Sequence, residues 1–358
     1  MCTSALFVRF SIIFASVFVL LAFISPAVQA TTQEANTGGS GAVLDDLVAG
    51  MAPGTWLKMP PNSTFDNLKL DYSLLYWADG GVWDSVNDRV IWVGGPGSCC
   101  ADPAIYKMVT YTESTGAWQA STTPFSGSGH AYDGNALDPS TGTFYFGKYY
   151  DDHVRVWDGS NWSELPRLPW TGGITPALAW FPELDGGNGG LVYAKDNGKV
   201  AWYDGASWHK INDGQSWPDY NNFAEYNPVK KVVWLGEGTD HYALDAQLNM
   251  RKLQTPPIDL DDGAALKSVD PVSGLYIVLD IIHNAWWQFN IDTDTWTQLS
   301  GMSGAPSAGE SMFHVPLTEH GVIMYFIQND GVYLYKHAAT TQPTPSGDNP
   351  IDLLQQGH

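Results

Sequence analysis

One unit of sequence recurs along this chain, and its recurrence limits the folds that the chain can adopt. The unit is clearest from Gly80 to Trp118, where four short apolar runs are separated by turns rich in Asp, Asn, Thr and Gly. Each unit therefore predicts one antiparallel sheet of four strands. A residue that opens the fourth run returns about every 45 residues. These anchors are Trp118, Trp162, Trp208, Arg251 and Trp296.

The turn after each first strand provides a second, independent marker of the repeat. Six such turns are present, each followed by serine or proline, and they begin at Asp84, Asp138, Phe181, Asn227, Asp270 and Val315. Six first strands predict an all-β, six-bladed β-propeller. The sixth unit has only three strands, and Gly54–Pro60 matches the missing fourth. We expect this N-terminal strand to close the ring, because an open array would leave sheet edges unpaired.

Two segments carry a resemblance to a known family. The units WVGG…MVTYTESTGAW and LYIVLD…WWQFNIDTDTW resemble kelch repeats, as found in the kelch and galactose-oxidase class of β-propellers. The resemblance covers nearly all of the chain after its first 30 residues and implies the fold. It does not imply a function, since propellers host many activities. The cysteine-linked tyrosine, second tyrosine and two histidines of a copper oxidase have no matching positions here.

The ends of the chain differ from the repeats in composition. Residues 1–30 contain one charge, Arg9, an apolar run and small residues that resemble a cleavage site after Ala30. This order predicts a secretory signal peptide, and a membrane anchor is the alternative. Residues 31–53 predict a flexible lead, and residues 54–337 the propeller. Residues 338–358 have the composition of a disordered Thr/Pro tail or a tether. The predicted location is outside the cytoplasm, secreted or periplasmic.

Charge narrows the list of partners. The chain has 17 Lys and Arg against 38 Asp and Glu, a net charge of −21. Such a field repels nucleic acid, anionic lipid and polyanionic glycans, so no nucleic-acid partner and no membrane span after cleavage are expected. Neutral glycans, cations or basic proteins fit better. Alternatively, the acidity only keeps the protein soluble.

Two adjacent cysteines, Cys99 and Cys100, are the only ones outside the predicted signal peptide. An exported protein can form disulfides. The one intrachain bond open to them joins neighbours whose Cα atoms lie about 3.8 Å apart, which is closer than usual and would stiffen the loop. Intermolecular bridges and a soft-metal site remain alternatives.

Alignment of the six first strands predicts two rings of residues around the central channel. The outer ring, near the mouth, is polar, and the deeper ring is bulky. The outer ring contains Asp79, Asp133, Pro176, Asn222, Ala265 and Glu310. The deeper ring contains Trp83, Leu137, Trp180, Tyr226, Val269 and His314.

Asp79, Asp133 and Glu310 are therefore predicted to meet at the channel mouth. Converging carboxylates either bind a cation, calcium being the most plausible, or shift one another's pKa for acid–base catalysis. A mouth with merely solvated acids is the alternative. His130, three residues before Asp133, is a candidate general base, or a structural histidine.

The loops that emerge beside this mouth collect aromatic and polar side chains. Candidate ligand-binding residues, together with Asn222, are Tyr149, Tyr150, His153, Trp217, Tyr220, His241 and His283. Two classes of function follow. The first is a protein that binds or processes a glycan, as a hydrolase or lyase if it is an enzyme. The second is a non-enzymatic interaction or assembly protein of the cell surface or extracellular matrix.

Overall fold

The structure is a computed structural model, and it describes residues 44–68, 72–75, 78–95, 105–127, 129–171, 175–214, 222–261, 263–300, 302–307, 312–327 and 330–337. The described part begins with helix α1 (Leu44–Ala49), strand β1 (Thr55–Lys58) and the short helices α2 (Ser63–Asn67) and α3 (Tyr72–Leu75). Asn62 caps α2, because its side-chain oxygen accepts hydrogen bonds from the Thr64 and Phe65 amides. The last part of the stretch expected as a lead, residues 31–53, thus contains a helix, and its Leu44 and Val48 are buried.

Six antiparallel sheets of four strands follow one another, which confirms the six-bladed β-propeller. Blade 1 contains β2 (Val82–Asp84), β3 (Arg89–Gly94), β4 (Ile105–Thr112) and β5 (Ala117–Ser126). Blade 2 contains β6 (Asn135–Asp138), β7 (Thr143–Gly147), β8 (Val154–Trp157) and β9 (Trp162–Glu164). Blade 3 contains β10 (Ala177–Phe181), β11 (Gly190–Lys195), β12 (Lys199–Tyr203) and β13 (Trp208–Asp213).

Blades 4 to 6 continue the pattern. Blade 4 contains β14 (Phe223–Asn227), β15 (Val232–Glu237), β16 (Asp240–Leu244) and β17 (Met250–Lys252). Blade 5 contains β18 (Ala265–Val269), β19 (Tyr276–Asp280), β20 (Ala285–Asn290) and β21 (Thr295–Gln298). Blade 6 contains β22 (Met312–Leu317), β23 (Val322–Ile327), β24 (Gly331–Lys336) and, as its outermost strand, β1.

The N-terminal strand closes the ring, as the sequence predicts. β1 pairs antiparallel with β24, from Thr55 opposite Lys336 to Lys58 opposite Tyr333. Trp56 stacks on Tyr335 at 4.5 Å between ring centroids. The first and last described strands therefore share one sheet, which leaves no blade with three strands.

The turn marker has a physical cause, which the structure shows in four blades. The side chain at the end of the first strand accepts hydrogen bonds from amides two or three residues later and so fixes the turn. Examples are Asp84 with the Val86 amide (3.2 Å) and Asn227 with the Lys230 amide (2.9 Å). Asp138 and Asp270 do the same with the amides of Ser140 and Ser273.

Blade 6 lacks this side chain, and the marker at Val315 is wrong by two residues. Val315 pairs with Met324 inside the sheet, and the turn follows Leu317, which pairs with Val322. Counted from Leu317, Met312 and not Glu310 occupies the outer-ring position of blade 6. In the deeper ring Pro316 replaces His314 and lines the channel with the other five residues.

Aromatic side chains fill the spaces between blades. Between blades 6 and 1, Trp92 is fully buried and lies 4.7 Å from Phe313 and 5.0 Å from Phe326, measured between ring centroids. Between blades 4 and 5, Trp234 packs on Tyr276 in the same way, at 4.6 Å. At both interfaces, neighbouring blades thus pack face to face through their aromatic rings.

Candidate functional site

Five ionisable side chains converge at the end of the central channel where the first strands begin. Asp79 precedes β2, Asp133 precedes β6, Glu225 lies on β14, Lys267 on β18 and His314 on β22. We call these five residues the central cluster. They come from five different blades, and all are less than a tenth exposed.

An ion pair between Asp79 and Lys267 is the most buried contact of the cluster. Lys267 Nζ lies 2.6 Å from Asp79 Oδ2, and neither side chain is exposed to solvent. Burial alone would raise the pKa of Asp79, but attraction to Lys267 and His314 outweighs it and lowers the pKa below its ordinary value. Lys267 Nζ also donates to the carbonyls of Leu260 (3.1 Å) and Ala265 (3.0 Å). Asp79 is therefore an ionised carboxylate with a fixed cationic partner.

His314 lies between two carboxyl groups. Its Nε2 atom is 3.5 Å from Asp79 Oδ1 and 3.4 Å from Glu225 Oε1. Burial disfavours the charged ring, yet Glu225 and Asp79 together raise the pKa of His314 to about 9. Burial raises the pKa of Glu225 above its ordinary value, and His314 opposes that rise. His314 therefore carries a positive charge at neutral pH, beside a carboxyl group that holds its proton more tightly than usual.

Backbone contacts hold the segment before β2 against this cluster. The Asp79 amide donates to the Tyr132 carbonyl (3.1 Å), and the Gly81 amide donates to the His314 carbonyl (2.9 Å). A Cβ atom on Gly80 would lie 3.2 Å from Asp133 Oδ1 and 3.4 Å from Glu225 Oε1. A glycine at position 80 thus permits the close approach of three blades.

The outer-ring residues are largely engaged within the fold. Asp133 Oδ2 accepts a hydrogen bond of 2.5 Å from the Ala224 amide. The Asn222 side-chain amide donates to the carbonyl (3.0 Å) and the hydroxyl (2.9 Å) of Thr175. Glu310 lies outside the described residues. Asp79 and Asp133 do come to one end of the channel, and Lys267 and His314 balance their charge.

A second group of side chains lies on the loop face, where blade 2 turns from β7 to β8. Tyr149 packs edge-on against Tyr150 at 4.6 Å and tilts over Tyr132 at 5.9 Å, measured between ring centroids. Tyr150 is 61% exposed and has φ of 55°, a left-handed backbone conformation that is uncommon for a large side chain. We call these three residues the tyrosine platform. In it the exposed ring of Tyr150 lies against Tyr149, and Tyr149 in turn packs on Tyr132.

A network of charged side chains continues from the platform. Asp151 pairs with Arg155 (2.5 Å) and Lys148 (3.5 Å), and Asp152 pairs with Arg167 (2.5 Å). His153 Nδ1 lies 2.9 Å from Asp152. Burial would raise the pKa of Asp151, but Arg155 and Lys148 lower it. Asp151 is thus ionised, and basic side chains of the protein hold both carboxyl groups in place.

The remaining predicted site residues lie apart from one another. His130 lies 5.5 Å from the ring of Tyr132, beside the platform. His241 is buried: its Nδ1 accepts from Trp234 Nε1 (2.8 Å), its Nε2 lies 2.6 Å from the Gln254 carbonyl, and burial lowers its pKa. His283 is exposed and pairs with Asp280 at 2.7 Å. Trp217, Tyr220, Cys99 and Cys100 lie outside the described residues.

Among the described residues, two groups of carboxylates and histidine have the spacing of metal ligands. One contains Asp151, Asp152 and His153, and the other contains Asp45, Glu113 and His320. In the first group the basic side chains named above already neutralise the carboxylates. In the second group His320 Nδ1 lies 2.9 Å from Asp45, and His320 Nε2 lies 3.1 Å from Glu113. These contacts connect α1 to blades 1 and 6.

Three members of the central cluster were absent from the sites predicted by sequence. The sequence alignment predicts His314 in the bulky ring, because it misplaces the turn of blade 6 by two residues. Lys267 and Glu225 could have been recognised, because each is a charged residue in an otherwise mostly apolar first strand. These strands are ALKSV and FAEYN, and almost all of their residues are buried. A charge in such a strand needs a partner, and Asp79 and His314 are those partners.

No protein-family model matches the chain, and no curated protein matches it. A Bacteroides thetaiotaomicron protein of unknown function shares 11% identity over 75% of this chain and 71% of its own, with a TM-score of 0.50. Virginiamycin B lyase from Staphylococcus aureus shares 11% over 78% and 87%, with a TM-score of 0.45. A xyloglucanase from Xanthomonas campestris shares 12% over 75% and 45%, with a TM-score of 0.48. Such a likeness concerns the fold alone.

No helix among the described residues is long and apolar enough to cross a bilayer.

Proposed function

We propose that this protein is an exported β-propeller that binds a neutral glycan on its loop face, at the tyrosine platform of blade 2. The observation that carries the proposal is the exposed ring of Tyr150, seated on Tyr149 beside a fixed array of charged groups. Export follows from the predicted signal peptide, residues 1–30, and stays a prediction.

The chemistry of the platform suits a sugar ring. Aromatic faces bind the apolar face of a ring, and a few fixed polar groups orient its hydroxyls. Here Asp151, Asp152 and His153 supply acceptors and donors, and Arg155 and Arg167 hold the two carboxylates in position. A site held by its own contacts loses little entropy when it binds a ligand.

The charge of the chain selects the kind of glycan. A protein with a net charge of −21 repels uronate or sulfated polymers. Beside the platform the charges balance, so there is no local excess of positive charge: Asp151, Asp152 and Glu164 pair with Lys148, Arg155 and Arg167. Neutral polysaccharides are therefore the expected ligands.

A second candidate function is favoured by Glu225. Its side chain is 10% exposed, and its carboxyl group has a raised pKa and faces a cationic His314. A buried carboxyl group with a raised pKa is the usual general acid of glycoside hydrolases. In this alternative Glu225 donates the proton, and Asp79, which is paired with Lys267, only positions His314.

Calcium at the channel mouth also stays a proposal. Asp79 and Asp133 would be its ligands at this end of the channel, whereas Glu310, the third ligand predicted from the sequence, lies outside the described residues. A calcium ion there must compete with the Lys267 ammonium for Asp79, because the two already lie 2.6 Å apart. A rise in melting temperature with calcium, but not with magnesium, would support this site.

Migration of the purified protein through gels that contain single neutral polysaccharides tests the proposal. Retardation by at least one neutral glycan, and none by an acidic glycan of equal size, is expected. Sugar release from the retarding glycan, lost in Glu225→Gln, would establish the second candidate. Unchanged migration in every gel would contradict glycan binding and favour a protein-interaction role.

A further inference from the structure

The far end of the central channel contains a cavity that the proposed glycan site does not use. It has a volume of about 220 Å³ and opens on the face opposite the tyrosine platform. Residues of all six first strands or their flanks line it, among them Trp83, Leu137, Trp180, Tyr226, Val269 and Pro316. The bulky ring predicted from the sequence therefore surrounds a space, rather than filling it.

Each of the three aromatic rings in the cavity wall is held by a partner outside the cavity. Trp180 stacks on Tyr145, with centroids 5.6 Å apart and planes inclined by 8°. Trp83 packs edge-on against His320 at 5.3 Å. Tyr226 donates from its hydroxyl to Glu183 (2.9 Å), and burial raises the pKa of that phenol, which keeps the ring neutral. The rings are thus set before any ligand arrives.

The charges at the cavity favour a cation. Glu319, at the rim, is the one Asp, Glu, Lys or Arg side chain among the described residues of its wall. The faces of Trp and Tyr rings are negative and attract cations, most strongly when water is excluded. The cavity is too apolar for a bare metal ion, which would lose its water without gaining oxygen ligands.

We propose that this cavity binds a small organic cation of the quaternary or trimethylammonium type. The methyl groups of this cation contact the apolar wall, and its diffuse charge lies next to Trp83, Trp180 and Tyr226. Glu319 attracts the ligand at the entrance. This site is independent of the glycan site, which lies on the other face of the ring.

Choline and its neutral isostere, 3,3-dimethyl-1-butanol, separate charge from shape. Choline chloride is expected to raise the melting temperature with increasing concentration, beyond the effect of sodium chloride at equal ionic strength. The isostere is expected to bind at least tenfold more weakly, as judged by titration calorimetry.

Three variants locate the effect. Trp180→Leu removes one ring and should weaken choline binding about tenfold, whereas Trp170→Leu, a tryptophan outside the cavity, should leave it unchanged. Glu319→Gln, at an exposed position, should weaken binding a few-fold at low salt and less at high salt. Any of three results would overturn the proposal: the isostere binds as tightly as choline, choline binding survives both Trp180→Leu and Glu319→Gln, or choline does not bind at all.

Discussion

Lys267 and Asp79 form an ion pair of 2.6 Å that no solvent reaches, and it joins the first strand of blade 5 to the segment that enters blade 1. The Lys267 amide also donates to Asp79 Oδ1 at 3.2 Å. His314 of blade 6 and Glu225 of blade 4 complete the contact around the channel. The central cluster therefore links blades across the ring, in addition to the β1–β24 pairing at its edge.

Removal of one partner should reveal the cost of an unpaired buried charge. We expect Lys267→Met to lower the free energy of unfolding by about 3–5 kcal/mol, since Asp79 would remain charged and buried. The double variant Lys267→Met, Asp79→Leu should recover much of that loss. Lys210→Met, which breaks an exposed pair with Asp213, serves as control and should cost less than about 1 kcal/mol. If Lys267→Met lowers the free energy of unfolding as little as Lys210→Met does, the ion pair between Lys267 and Asp79 does not stabilise the ring.

Stability should fall as the pH rises through the titration of His314. Because its pKa in the fold is about 9, above the ordinary 6.5, its contribution is complete below pH 6.5 and disappears as the pH passes 9. The shift is worth about 3 kcal/mol at most. The raised pKa of Glu225 also makes the stability fall as the pH rises, over a lower pH range than His314.

Urea unfolding at pH 6, 7.5 and 9 measures this dependence. His314→Gln should flatten the fall between pH 6.5 and 9, whatever its stability at pH 6. A slope that His314→Gln leaves unchanged would assign the dependence to other groups.

Trp56 should be the most important side chain of the closing strand. It stacks on Tyr335 and lies 4.9 Å from Trp286 and 5.2 Å from Tyr325, again between centroids. We expect Trp56→Ala to lower the free energy of unfolding by about 2–4 kcal/mol, because the ring is only partly buried. Trp170→Ala should change it by less than about 1 kcal/mol. A chain that begins at Asn67 should lose cooperative unfolding altogether; melting like the parent would refute closure by β1.

The repeat predicts most of the fold, because each blade encodes its own strands and turns locally. Asp84, Asp138, Asn227 and Asp270 fix their turns with their own side chains, so the pattern is visible in the sequence. Blade 6 turns after Leu317 without such a side chain, so the sequence does not show where its turn begins. For this reason the sequence predicts Glu310 at the ring position that Met312 occupies.

The site is less predictable than the fold, because its contacts cross between blades. Asp79 and Lys267 are 188 positions apart, and only the closed ring brings them together. Local pattern placed Asp79 and Asp133 at the channel mouth, but it could not show that Lys267 and His314 neutralise them. Tyr149 and Tyr150, in contrast, are neighbours in one loop, and the sequence identified both.

Cys99 and Cys100 stay a prediction, since both lie outside the described residues. As the only thiols beyond the predicted signal peptide, they are expected to form a vicinal disulfide in the exported protein. The intact mass should then lie about 2 Da below that of the reduced protein. Full labelling of both thiols without reductant would exclude the bond.

Substitution of Tyr150 tests glycan binding at the platform most directly. With the neutral polysaccharide that retards the parent most strongly, Tyr150→Ala should raise the dissociation constant about tenfold, or roughly 1.4 kcal/mol, without a change in melting temperature. Val272→Ala is the matched control, because Val272 is similarly exposed, 67% against 61%, in the turn after β18. Equal affinities of Tyr150→Ala, Val272→Ala and the parent would contradict the proposed site, whereas a loss confined to Tyr150→Ala is the result that we predict.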